Sequence, residues 1–253
     1  MLRKASVIAA GAALILGAVA APAHAIANGE PVPDGKYRFS TKLTMTGIPT
    51  ADGGRRNSAC SGALVAPQWV ITAGHCFRTF DGVRQEYPVA DLTTATVGRT
   101  DLTGSGGVEV KVVAVRQSKT ADVSLAKLER PVRGIKPIKV GTSPADVGDI
   151  LRLTGYGSTT SVNPTPSTRL LTGKLQVVEV TDTVVGVKGY APAADTTPCP
   201  YDSGGPYFIE KKHRAPVLVA VVSNGPSCPH SATESAARTD NIASWIKDTV
   251  KTQ

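Results

Sequence analysis

The strongest constraint on the fold is a succession of short runs rich in Val, Ile, Leu and Thr, separated by Gly, Pro, Asn or Asp. The runs occupy residues 39–45, 61–74, 107–115, 150–157, 170–180, 183–189 and 216–225, and the second run holds two strands joined at Ala66-Pro67. β-branched residues favour strands, and the residues between the runs favour turns. Many short strands at this spacing predict an all-β chain built as barrels or as a sandwich.

One segment, residues 240–253, has a different pattern. Its apolar side chains follow one another at spacings of three and four, at Ile242, Trp245, Ile246 and Val250. With Asp240 as a candidate N-cap, this spacing predicts an amphipathic C-terminal helix. Residues 129–149 are rich in Pro, Gly and charge, and they are the best candidate for a crossing between two halves of the chain.

The first residues have the pattern of a secretory signal peptide. Two basic residues are followed by an apolar run over residues 7–19 and then by Ala23-His24-Ala25, a small-x-small cleavage motif. The run is too short to span a bilayer, and an ordinary core helix would not need these three features in this order. We expect residues 1–25 to be removed, leaving 26–253 as a secreted, extracellular domain without membrane contact.

The formal net charge of the chain is +8. Its basic residues are scattered, apart from pairs such as Arg55-Arg56 and Lys211-Lys212, and no basic stripe is interleaved with aromatic residues. This distribution indicates a solvated surface, and we do not expect a nucleic-acid partner.

The sequence contains four cysteines, at Cys60, Cys76, Cys199 and Cys228. An even number in an exported chain predicts two disulfides, for which three pairings exist. A nearest-neighbour scheme would close two short loops. Zinc binding is the alternative, but the chain lacks the Cys-x-x-Cys or His-x-x-x-His spacing that such sites use.

Three polar side chains together have the composition of a nucleophilic site. His75 stands in VITAGHCF, Asp122 in TADVSLAKL and Ser203 in CPYDSGGP. A serine hydroxyl needs a base to take its proton, and the base needs a partner that orients it. Each residue also has an ordinary interpretation: a buried structural histidine, a turn acid, and a serine in an Asp-Ser-Gly-Gly turn. The order His…Asp…Ser differs from the Ser…Asp…His order of α/β-hydrolases.

These stretches resemble the chymotrypsin/trypsin-type serine peptidases, of the secreted bacterial sort. The family's Thr-Ala-Ala-His-Cys, Asp-Ile-Ala-Leu-Leu and Gly-Asp-Ser-Gly-Gly-Pro motifs are similar to residues 72–76, 122–126 and 201–206. Its Gly-Trp-Gly and Ser-Trp-Gly motifs look like Gly155-Tyr156-Gly157 and Ser223-Asn224-Gly225. The resemblance extends from Ile26 to the terminal helix.

The resemblance implies two six-stranded antiparallel β-barrels packed together, with the site in the crevice between them. The expected N-terminal barrel covers residues 26–135, and the C-terminal barrel with its helix covers 136–253. The resemblance also implies the disulfides Cys60–Cys76 and Cys199–Cys228. We expect a monomer without cofactor or metal, whose partners are polypeptide substrates and protein inhibitors of proteases.

The resemblance implies two further roles, an oxyanion hole and an activating N-terminal pair. The backbone N–H groups of Tyr201 and Ser203 would form the oxyanion hole. A free amino group on Ile26, which follows the predicted signal cut directly, would pair with Asp202 and activate the enzyme on export. The alternative is that Ile26 is simply the residue after a generic cleavage.

Tyr201 is the main departure from the family pattern, because the family has Gly there. A positive φ at this position would strain a side chain by on the order of 1 kcal/mol. Two interpretations follow: an active site with a reduced rate or narrowed access, and an inactive protein with a flipped peptide.

The specificity pocket is poorly determined by the sequence. Thr197, followed by Pro198, stands where trypsin has its pocket-floor Asp, so the usual residue does not support a preference for Arg or Lys. Asn224, between Ser223 and Gly225 on the substrate-pairing strand, replaces an aromatic residue that walls the pocket. Glu234 is either a pocket acid that recruits a basic side chain or a surface acid.

The sequence therefore predicts a secreted serine endopeptidase that works through an acyl-enzyme. One rival is a catalytically impaired binding protein on the same fold. The other is an esterase that uses the same triad.

Overall fold

A computed structural model describes residues 25–251. The predicted signal peptide lies outside the described residues, except for Ala25. The described chain forms two closed six-stranded antiparallel β-barrels and a short C-terminal helix. This architecture confirms the predicted all-β fold.

The first barrel follows a short strand, β1 (Glu30–Pro31). Its six strands are β2 (Ser40–Pro49), β3 (Arg55–Ala66), β4 (Trp69–Thr72), β5 (Leu92–Val97), β6 (Val108–Gln117) and β7 (Ser124–Leu128). They close in the order β2-β3-β4-β7-β6-β5. A 3₁₀ turn, Gly74–Phe77, leaves the barrel directly after β4.

The second barrel follows another short strand, β8 (Lys139–Val140). Its strands are β9 (Ile150–Gly155), β10 (Leu171–Val180), β11 (Val184–Ala191), β12 (Pro206–Ile209), β13 (Val217–Asn224) and β14 (Glu234–Arg238). β9 pairs with both β10 and β12, and this double pairing closes the ring. β1 pairs with β10, so the first strand of the chain joins the sheet of the second barrel. The predicted boundary between residues 135 and 136 falls between β7 and β8 and stays a prediction.

Each barrel encloses its own apolar interior. Leu43, Ile71, Val97 and Leu125 are fully buried in the first, and Leu151, Leu153, Leu175 and Val187 in the second. These residues come from strands spread along the chain, so neither core exists until its ring has closed. Burial of apolar side chains of this size contributes about 1.5–3 kcal/mol each.

The C-terminal helix, α1 (Ala243–Lys251), is shorter than the predicted segment. Ile242 and Ile246 are buried in the apolar cluster that includes the first barrel's core, as the helical spacing predicts. Asp240 has a different role from the expected N-cap: its carboxylate accepts two hydrogen bonds from the guanidinium of Arg238, at 3.1 and 2.7 Å.

The two barrels meet through buried polar contacts. The hydroxyls of Ser40 and Thr154 lie 2.8 Å apart. The Ser61 backbone N–H donates to the Ser203 carbonyl oxygen at 2.9 Å. β2 and β3 of the first barrel therefore hold β9 and the loop before β12, and the crevice that contains the candidate site opens along this boundary.

Candidate active site

His75 lies in the 3₁₀ turn after β4, and Asp122 lies in the loop before β7. Because β4 and β7 are neighbours in the barrel, these two positions meet although they are distant in sequence. Cys76 in the same turn is disulfide-bonded to Cys60 on β3. The disulfide and the paired strands thus fix the histidine relative to the acid.

Asp122 accepts three hydrogen bonds. The His75 Nδ1 lies 2.7 Å from Asp122 Oδ2, and the His75 backbone N–H donates to Oδ1 at 2.9 Å. The Ser223 hydroxyl donates to Oδ2 at 2.7 Å. Burial raises the pKa of Asp122, but the His75 and Ser223 hydrogen bonds and the attraction of the His75 ring outweigh it and lower the pKa to about 2.

This geometry determines the tautomer of the ring. Asp122 is ionised at neutral pH and can only accept, so His75 Nδ1 must carry the hydrogen. The lone pair of the neutral ring is then on Nε2. His75, Asp122 and Ser203 all line one cleft of about 710 Å³.

Ser203 lies in a tightly bonded loop between Cys199 and β12. The Asp202 N–H donates to the Cys199 carbonyl at 2.9 Å, and the Gly205 N–H donates to the Asp202 carbonyl at 2.7 Å. Gly204 has φ of 81°, and a Cβ there would overlap with Thr72 Oγ1. The glycine after the serine is therefore required both by its backbone angle and by contact with the first barrel.

Tyr201 has φ of 75°, the left-handed conformation that strains a side chain. Its carbonyl oxygen accepts a hydrogen bond from the Ser61 hydroxyl at 3.2 Å. Its phenolic hydroxyl donates to the Pro164 carbonyl oxygen at 3.4 Å. Tyr201 also lines a second groove of about 280 Å³, together with Ser203 and the cysteines of the Cys60–Cys76 disulfide.

Asp202 is fully buried beneath this loop. Its carboxylate accepts hydrogen bonds from the Gly157 N–H at 2.8 Å and the Cys199 N–H at 3.0 Å. Burial raises the pKa of Asp202 to about 7, against the lowering effect of these bonds, of Lys42 and of the Ile26 N–H. A Cβ on Gly157 would overlap with the carboxylate.

The cleft beside Ser203 is lined by most of the predicted pocket residues, namely Pro198, Ser223, Asn224, Gly225 and Glu234. Thr197 has a different place: its backbone pairs with Ala27, and its side chain is fully buried. Among the described residues, no hydrogen-bond partner reaches its hydroxyl.

Glu234 is only 3% exposed, which excludes the surface-acid interpretation. Its Oε1 lies 2.6 Å from His230 Nε2, and a Cβ on Gly225 would overlap with its carboxylate. Burial, together with the negative charge of Asp202, raises the pKa of Glu234 to about 8. The cleft thus has a buried carboxyl group in its wall.

The sequence model of the family described as Trypsin matches residues 26–246. The chain belongs to the trypsin family. Its two disulfides join Cys60 to Cys76 and Cys199 to Cys228, which is the pairing that the resemblance implied.

The proteins to which the chain is similar carry different names. The chain is 31% identical to glucanase inhibitor protein 1 of Phytophthora infestans, over 96% of both chains. It is 26% identical to thrombin-like enzyme elegaxobin-1 of Protobothrops elegans, over 74% of this chain and 84% of that protein. It is 24% identical to transmembrane protease serine 11G of Rattus norvegicus, over 88% of this chain and 54% of that protein. Membership of this family is therefore compatible with more than one activity.

Sequence reasoning missed three residues of this trypsin-family site: Ser61, which binds the Tyr201 carbonyl, Lys42, which lies near Asp202, and His230 as the partner of Glu234. None of them stands in a motif that signals its role.

Within residues 25–251, no group of three or more His, Cys, Asp or Glu side chains is arranged to hold a metal ion. No helix in that range is long and apolar enough to cross a membrane.

Proposed function

We propose that the protein is a secreted serine endopeptidase with Ser203 as nucleophile, His75 as general base and Asp122 as the residue that orients the base. The observation that carries this proposal is the 2.7 Å contact between His75 Nδ1 and an ionised Asp122. A histidine held in this way presents a basic Nε2 and is stabilised when it becomes charged. The bacterial subtype stays a prediction.

In the proposed reaction, Ser203 Oγ attacks the carbonyl carbon of a peptide bond while its proton passes to His75 Nε2. The carbonyl oxygen becomes negatively charged in the tetrahedral intermediate. His75 then gives the proton to the leaving nitrogen, the C–N bond breaks and an acyl-enzyme remains. In the second half, water attacks the acyl carbon and gives a proton to His75 Nε2. His75 returns this proton to Ser203 Oγ as the acyl group leaves as a carboxylic acid.

The backbone N–H groups of Tyr201 and Ser203 would stabilise the negative oxygen, and removal of one such donor typically costs about 3 kcal/mol in the barrier. The strand end Ser223–Gly225 would pair with the backbone of the acyl part of an extended substrate. This strand end lies on the cleft wall, which favours polypeptides over small acyl esters. Protein inhibitors that offer the same extended backbone would bind there too.

We further propose that Glu234 gives the pocket a preference for a basic side chain before the cleaved bond. Its carboxyl lines the cleft and is buried, and a buried acid is stabilised by a cation that enters beside it. Thr197 supplies no charge to this pocket. The preference therefore depends on a different residue from the pocket-floor Asp of trypsin.

Activation is proposed to follow signal cleavage. The Ile26 N–H lies close enough to lower the pKa of Asp202, so a charged amine at that nitrogen would face the buried carboxylate. N-terminal sequencing of the exported protein tests this step. A mature chain that begins at any residue other than Ile26 would contradict it.

The second candidate function is a non-catalytic binding protein. The structural observation that favours it is the strained backbone of Tyr201, whose φ is 75° and whose N–H is one of the two proposed oxyanion donors. The similarity to glucanase inhibitor protein 1 of Phytophthora infestans also supports this candidate.

The deciding experiment is intact-mass measurement before and after reaction with a serine-directed fluorophosphonate. We expect one adduct, mapped to Ser203 and absent in His75→Ala. His213→Ala is the matched control, because His213 lies in an exposed loop and should leave labelling unchanged. A folded, disulfide-bonded protein that starts at Ile26 and takes no adduct would favour the binding protein. Comparing turnover of a peptide amide and its matching ester separates peptidase from esterase.

A further inference from the structure

Lys42 is a buried cation that is not one of the proposed catalytic residues. It belongs to β2 of the first barrel and is 5% exposed. Its Nζ donates a hydrogen bond to the Tyr156 carbonyl oxygen of the second barrel, at 2.9 Å. Within the described part of the chain, it forms no ion pair with a carboxylate at or below 4.0 Å. A buried ammonium group without an anionic partner is costly, so its presence requires an explanation.

The same peptide group connects Lys42 to Asp202. The carbonyl of the Tyr156–Gly157 peptide accepts from Lys42, and its N–H donates to Asp202 Oδ1 at 2.8 Å. The C=O and N–H of a trans peptide point in opposite directions. The peptide therefore presents its negative end to the cation and its positive end to the anion, and each charge strengthens the bond of the other in this buried position.

Asp202 in turn holds the loop that carries Tyr201 and Ser203. Its carboxylate binds the Cys199 N–H, and its backbone carbonyl binds the Gly205 N–H. Any group that stabilises the ionised carboxylate in this position also stabilises the loop conformation. Ile26 contributes through its N–H, and the ammonium group of Lys42 contributes an electrostatic attraction from the opposite barrel.

We propose that Lys42 is a positioning residue: an internal counter-cation of Asp202 that acts through the Tyr156–Gly157 peptide and holds the 199–205 loop in its active arrangement. Burial lowers the pKa of Lys42 to about 8, so the ammonium group is mostly charged at neutral pH, whether or not Ile26 has a free amino group. The loop should therefore be substantially formed even when residues precede Ile26. This inference rests on the proposed function for its catalytic consequence, but not for its effect on the loop.

The test uses the full mature chain with two N-termini, one beginning at Ile26 and one extended by two residues. Each is made with Lys42, with Lys42→Gln and with Lys42→Arg. Gln retains a hydrogen-bond donor for the Tyr156 carbonyl without the charge, whereas Arg retains the charge. Lys36→Met is the matched control, because Lys36 is an exposed lysine stacked on the Tyr37 ring at 4.6 Å.

The first measurement is hydrogen exchange of the loop amides at Asp202, Gly204 and Gly205, which are all hydrogen-bonded. In the extended chain, we expect Lys42→Gln to raise their exchange by about tenfold or more, because local opening follows the loss of the stabilising charge. Arg and the Lys36→Met control should remain near wild type. If Gln behaves like wild type with both N-termini, the proposal is wrong.

The second measurement is the rate of fluorophosphonate labelling of Ser203. We expect the extension and Lys42→Gln together to slow labelling by more than the product of their separate effects, since both cations act on one carboxylate. If the combined effect on the labelling rate equals the product of the two separate effects, the shared role is contradicted. If no protein is labelled but exchange rises in Lys42→Gln, the peptidase proposal fails while the role of Lys42 stands. If labelling is normal and exchange is unchanged in Lys42→Gln, the proposed role of Lys42 fails while the peptidase proposal stands.

Discussion

The hydroxyl of Ser61 lies 3.2 Å from the carbonyl oxygen of Tyr201 and donates a hydrogen bond to it. The same hydroxyl accepts the Tyr156 N–H at 3.0 Å. Ser61 thus connects a strand of the first barrel to the loop that carries the proposed oxyanion donors. Because Tyr201 is held at a positive φ, this bond opposes rotation of the strained residue into another conformation.

Ser61→Ala should therefore slow turnover rather than weaken substrate binding. The substitution removes both hydrogen bonds of the hydroxyl, and the one to Tyr201 acts on the proposed oxyanion donors. Its loss, worth about 1 kcal/mol, predicts a kcat lower by about fivefold, with KM nearly unchanged. Steady-state kinetics on a peptide amide measure both. In a Tyr201→Gly background, where no strained side chain remains, the same substitution should have a smaller effect. An equal loss in both backgrounds would contradict a link between Ser61 and the strain.

Tyr201 itself can be separated into a backbone effect and a ring effect. Tyr201→Ala removes the ring but keeps a Cβ at positive φ, whereas Tyr201→Gly removes both, so Gly should be more stable than Ala by about 1 kcal/mol. Chemical denaturation measures this difference. If the ring narrows the second groove, both variants should hydrolyse peptides with long leaving segments faster than wild type. Unchanged hydrolysis and inhibitor affinity would exclude a role for the ring.

Asp122 should make stability depend on pH in the acid range. Its pKa falls from the usual 3.8 to about 2 on folding, so its stabilisation is present above pH 4 and is lost as the pH falls toward 2. The difference corresponds to about 2 kcal/mol. Denaturation of wild type and Asp122→Asn between pH 2 and 6 should show the two free energies of unfolding converging at low pH. Asp146→Asn, at an exposed site, is the control, and parallel curves for Asp122→Asn would contradict the prediction.

Glu234 should make the preference for basic substrates depend on pH in the alkaline range. Its pKa is raised to about 8, and the groups that influence or contact it are His230, Asp202 and Tyr207. The kcat/KM ratio of a Lys substrate to its norleucine analogue should rise about fivefold or more from pH 7 to pH 9, as the carboxyl ionises. The proposed triad would affect both substrates equally, so its contribution cancels in the ratio. Glu234→Gln should have a low ratio that does not change with pH, and a rising ratio in that variant would assign the effect to another group.

Much of the fold could be predicted from local sequence patterns. Strand-forming runs separated by turn residues are a local property, and the spacing of Ile242 and Ile246 marks the buried face of a helix wherever that helix packs. The residues around His75 and Ser203 could also be identified, because a nucleophile and its base demand particular residue types in short motifs. What these patterns determined was the class of fold and the identity of the candidate chemistry.

The tertiary structure decided which isolated polar residues serve the site. Nothing local distinguishes Lys42 or Ser61 from other strand residues, and Glu234 could have been a surface acid. Lys42 contacts a residue 114 positions away in the sequence, and Ser61 contacts one 140 positions away. Glu234 owes its role to burial against Gly225. The energy of a buried charge or hydrogen bond depends on its partner and on the exclusion of water, and both exist only after the barrels have closed and packed together.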